Sequence, residues 1–114
     1  MGCGRTRSDM RETAIFIELL GASGARYRFR AWPETDQSAM AGNFVVAEPG
    51  PDGIKVHLIG VTNDLSKASL HARKAGLGGK PLLVRLNVAR LTRHQEHDDI
   101  VVRYAQAKVF VADA

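Results

Sequence analysis

Gly42-Asn43-Phe44-Val45-Val46-Ala47, followed after a short connection by Ile54-Lys55-Val56-His57-Leu58-Ile59-Gly60-Val61, decides the fold. Both runs are apolar and rich in β-branched side chains, as buried strands are. The connection, Glu48 to Gly53, contains Pro49, Gly50, Pro51 and Gly53 and reads as a turn, so the two runs form a hairpin. Directly afterwards, Asn63 or Asp64 can cap a helix in which Leu65, Ala68, Ala72 and Ala75 share one face. Gly76, Gly78 and Gly79 end that helix. Pro81 leads into a strand over 82–88, and Thr92 with Gln95 forms a capping-box pattern before a last helix over about 93–108. Ile100, Val101 and Tyr104 face inward from it.

Upstream, residues 12–20 and 25–32 read as two further strands joined by Gly21-Ala22-Ser23-Gly24, with Gly24 available for positive φ. The second alternates strictly: Arg26, Arg28 and Arg30 on one face, Tyr27, Phe29 and Ala31 on the other. Matching the apolar faces pairs Leu19 with Tyr27 and Ile17 with Phe29, and sets Glu18 opposite Arg28. The predicted class is α+β: a small central β-sheet flanked by two helices, β-β-α-β-α in order, preceded by an N-terminal β-hairpin (12–32). Residues 12–114 form one domain and residues 1–11 a flexible leader.

A chain of 114 residues is of ordinary single-domain size. With 45% hydrophobic and 25% charged residues it reads as globular, not disordered. No apolar run approaches the roughly 18 residues of a membrane span. The leader lacks the apolar stretch of a secretory signal. Gly2 with Thr6 fits the loose myristoylation pattern beside Cys3, but nothing else points to a membrane. A single cysteine excludes an internal disulfide and suits a reducing, cytoplasmic location. Sixteen Lys+Arg against twelve Asp+Glu give +4, which permits an acidic partner such as DNA or RNA without demanding one.

Two features carry candidate chemistry. The Arg26/Arg28/Arg30 row sets guanidinium groups about 7 Å apart, comparable with phosphates along a strand; a charged edge that blocks aggregation is the plainer reading. His94, Glu96, His97, Asp98 and Asp99 crowd one stretch of the last helix. His94 with Asp98 at i, i+4, or with His97 at i, i+3, can share a metal, although the stretch lacks a full ligand signature and also reads as an acidic helix start. His57 reads as a structural histidine within a strand. Gly76 to Lys80 lacks the spacing of a phosphate loop and precedes a strand.

Gly42-Asn43-Phe44 together with Leu58-Ile59-Gly60-Val61-Thr62-Asn63-Asp64-Leu65 resembles the GIY-YIG endonuclease domain. His71 falls where that family's helix histidine stands, and Arg93-x-x-Glu96-x-x-Asp99-Ile100 with Tyr104 resembles its later helix, whose glutamate holds the metal. The resemblance covers roughly 12–105, with the N-terminal hairpin similar to that of small stand-alone members. It implies a site in which two tyrosines and an arginine act on a phosphodiester. Here those positions hold Phe44, Leu58 and Ala68, and the asparagine usual after the last helix has no match. Lost together are a general base, a second hydroxyl and a cation, of which acid–base help alone is worth about 10²- to 10⁴-fold.

The resemblance, with those positions lost, therefore implies a non-catalytic domain without a cofactor, and the +4 charge with the basic hairpin makes nucleic-acid phosphates the first candidate ligand, contacted by Arg26, Arg28, Arg30, Lys67, Arg73 and Lys74. One alternative is a divergent nuclease with Glu96 holding Mg²⁺, joined by Asp99, His94 or His71, and with Lys67 or Arg73 replacing the arginine. Another is a protein–protein interaction or homo-oligomerisation module using an open sheet edge.

Overall fold

The computed structural model describes residues 16–31 and 39–112. The predicted leader, the first residues of the first strand and most of the 33–41 loop lie outside them. In chain order the elements are β1 (Phe16–Leu20), β2 (Arg26–Ala31), β3 (Gly42–Gly50), β4 (Gly53–Thr62), a 3₁₀ turn (Leu65–Lys67), α1 (Ala68–Lys74), β5 (Leu82–Leu86), α2 (Arg90–Arg103) and β6 (Lys108–Ala112).

All six strands join one sheet in the order β1-β2-β5-β3-β4-β6. It is antiparallel throughout except for the parallel pair β4–β6. This corrects the predicted small central sheet flanked by two helices: the sheet is large, mixed and curled into a half-barrel. Two additions enlarge it. The N-terminal hairpin is no appendage, because β2 pairs with β5 through Arg30↔Val84 and Ala31↔Leu83. The C-terminal segment extends the other edge: α2 stops at Arg103, and Lys108-Val109-Phe110-Val111-Ala112 lies beside β4. The start of α2 also differs, since it begins at Arg90 after Ala89, so Thr92 is no cap.

Local rules explain the rest. The hairpin register is Leu19↔Tyr27, Glu18↔Arg28 and Ile17↔Phe29, with Gly24 at φ +89° in the connection. The Asp64 side chain accepts from the Ser66 N–H and caps the 3₁₀ turn. The β3–β4 ladder shifts register after Val46, leaving His57 as the extra residue of a bulge.

Alternation splits the core in two. On one face Leu19, Phe29, Val45, Ile59 and Leu83 pack with Ile100 of α2. On the other Phe44, Val46, Leu58 and Val84 pack with Leu65, Ala68 and Ala72. No helix among the described residues is long and apolar enough to cross a membrane.

Candidate functional site

Phe44, Leu58 and Ala68 meet in the core beneath α1, all buried. Phe44 stands opposite Gly60 in the β3–β4 ladder, and its ring fills the space that a β-carbon on Gly60 would need. The His71 ring lies 6.1 Å from the Phe44 ring and 4.2 Å from that of Phe110 in β6. Burial holds the His71 pKa below its ordinary value, and the nearby Lys74 and Lys67 charges push the same way. Around Phe44 pack the apolar side chains of Val46, Leu58, Leu65, Ala68, Ala72 and Val84, with the His71 imidazole and the Phe110 ring beside them.

Glu96 is not part of it. The strand period of two sends Phe44 and Val84 toward α1, but Asn43 and Arg85 toward α2. There Glu96 Oε1 accepts from Arg85 Nε at 2.8 Å and from Asn87 Nδ2 at 2.9 Å. Asn87 Nδ2 also lies 3.0 Å from Asn43 Oδ1, and Asn43 Nδ2 donates to the Arg93 carbonyl. The Arg85 guanidinium covers the Tyr27 ring at 5.6 Å. This network ties β3, β5 and α2 together. Sequence reading missed it, because its members are scattered over more than fifty residues and their only local mark is polar side chains, Asn43 and Arg85, interrupting apolar strands.

Asp99 has a structural task too. Its carboxylate accepts from the Ser23 N–H (2.8 Å), the Ser23 hydroxyl (2.6 Å) and the Tyr27 hydroxyl (2.7 Å). These bonds, led by those from Ser23 and Tyr27, hold its pKa below the usual carboxylate value. A side chain on Gly21 would collide with that carboxylate, so glycine is required there. Among the described residues no three His, Cys, Asp or Glu side chains group as a metal site would need. His97 is buried with Nδ1 unpartnered, and burial, the largest cause, holds its pKa down.

The basic residues do not form one surface. Arg26, Arg28 and Arg30 are exposed on the face of β2 away from Tyr27 and Phe29. Arg28 lies over the Phe16 ring at 5.2 Å, and none of the three guanidinium groups forms an ion pair among the described residues. Phe16 and Leu20 of β1 share this face, as does Leu86, two residues beyond Val84. Lys67 and Lys74 instead flank His71, which touches β6 at the far end of the sheet. Three strands separate β2 from β6, roughly 19 Å along the sheet at its usual spacing. Arg73 packs its side chain toward Gly78.

Comparison with protein-family models, with curated proteins and with solved structures found no match.

Proposed function

We propose that this chain is a non-catalytic binding domain whose first ligand is the phosphate backbone of nucleic acid, held on the exposed face of the β1–β2 hairpin. One observation carries the reading: three guanidinium groups stand in a row on that face, without ion pairs among the described residues, beside a Phe16 ring that is 50% exposed. A solvated edge needs charge, but not an open aromatic and an exposed Leu86 next to it. Arginines spaced for phosphates beside a ring that can stack on a base suit single-stranded nucleic acid. Phe44, Leu58 and Ala68 support the non-catalytic half, since they occupy the positions where the GIY-YIG resemblance implies hydroxyls and a guanidinium. Such binding belongs in the cytoplasm, and the single cysteine suits that compartment.

Labelled single-stranded and duplex oligonucleotides, titrated with and without Mg²⁺ at about 50 mM salt, test it. The expected result is binding without cleavage that weakens as salt rises. Arg26→Gln/Arg28→Gln/Arg30→Gln together should lower affinity at least about tenfold, and Lys67→Gln/Lys74→Gln by less. Equal loss from both sets sinks the hairpin assignment. Mg²⁺-dependent nicking abolished by Glu96→Ala sinks the non-catalytic one.

A second reading has its own observation. β6 is an edge strand whose Val109 and Val111 are 50% and 55% exposed on the α2 side of the sheet. An apolar edge without a further strand among the described residues suits pairing with another chain. A stable dimer in light scattering without nucleic acid favours it.

A further inference from the structure

We propose that the cleft between the start of β4 and the α2–β6 connection is a second site, separate from the hairpin, that takes a phosphorylated small molecule of about mononucleotide size. The cleft has a volume of about 640 Å³, within the range of small-molecule pockets and far larger than a lone phosphate ion requires. Its wall carries Lys55, His57, Arg103 and Lys108, with Tyr104 and Gln106, and among the described residues no carboxylate lines it.

Four features make this a directed arrangement. The β4 bulge takes His57 out of the ladder, the kind of irregularity that re-aims a side chain. Glu48, the acid nearest that ring, is occupied by His57 Nε2 at 2.6 Å and Lys80 Nζ at 3.0 Å, so its charge is spoken for. Lys108 is anchored by donating to the Ala75 carbonyl at 3.0 Å, which fixes its ammonium and leaves two N–H donors. Tyr104 is packed against the core beneath α2 and brings an aromatic ring to the wall. One effect opposes an anion: α2 ends here, and the last carbonyls of a helix carry about half a negative charge. Lys55, Arg103 and Lys108 supply three full positive charges against it, so the balance favours a dianion such as a phosphate monoester.

The test is an amide-resolved NMR titration of the whole chain with AMP, inorganic phosphate and adenosine at constant ionic strength. AMP and phosphate should shift the amides of Lys55, His57 and Gln106, and adenosine should not. Lys55→Gln/Arg103→Gln, two exposed positions whose replacement leaves the core intact, should weaken AMP at least about tenfold. The triple hairpin-arginine variant should bind AMP like the parent chain, which separates this site from the proposed nucleic-acid face. Absence of shifts at about 10 mM AMP overturns the proposal, given that even weak sites bind in the millimolar range. So do equal shifts from adenosine, shifts from phosphate but not AMP, or unchanged affinity in the double variant.

Discussion

The two faces of this sheet are cut from the same strands and solve different problems. β3 sends Phe44 and Val46 toward α1, and Asn43, Val45 and Ala47 toward α2. On the α1 side hydrocarbon meets hydrocarbon, and fit is set by volume, down to a glycine that leaves room for a ring. On the α2 side the apolar layer gives way to Asn43, Arg85, Asn87 and Glu96, where fit is set by pairing donors with acceptors. The first face should therefore be sensitive to added atoms, and the second to lost partners.

The sharpest way to break this contrast is Gly60→Ala. Its methyl would have to displace the buried Phe44 ring, and chemical denaturation should show a loss of about 1–3 kcal/mol or more. Adding Phe44→Leu should return part of that loss; if it does not, the ring is not what the methyl meets. On the opposite face Glu96→Ala adds no atoms and strands the Arg85 and Asn87 donors. The expected loss is smaller, about 1–2 kcal/mol, because both groups keep partial access to water. A neutral result would mean that the network orients α2 without stabilising it.

The smallest effect is in pH dependence. His71 of α1 and His97 of α2 both have pKa values held down mainly by burial, the first helped by Lys74 and Lys67, the second by His94 against the opposing pull of Asp98. The unfolded chain takes up these protons near pH 6.5, before the folded chain does. Stability is thus full above about 6.5 and falls as the pH drops toward the depressed folded values. Asp99 acts lower on the scale. Its carboxylate is held down by Ser23 and Tyr27, so its contribution persists until pH falls below the usual carboxylate value of about 3.9. Urea midpoints between pH 7 and 5 should decline, and His97→Leu should flatten that decline. An unchanged slope would show that His97 is not its source.

What could be read from the chain was whatever repeats within a few residues. The β1–β2 register follows from alternation around Arg26, Arg28 and Arg30, and the α1 face follows from the spacing of Leu65, Ala68 and Ala72. β6 is hidden because the helical pattern of α2 through Tyr104 runs on toward Lys108, although Val109-Phe110-Val111 has a strand composition. The hairpin's place was hidden because β2 finds its neighbour, β5, more than fifty residues away.

The sequence by itself determined periods, caps and turns, since these depend on neighbours along the chain. Only the tertiary structure decided that the strands close into one curled six-stranded sheet, and that Phe44 and Glu96 lie on opposite sides of it. The physical reason is that strand order and the packing of helices on a sheet are settled by which distant surfaces bury each other, and no local pattern records that choice.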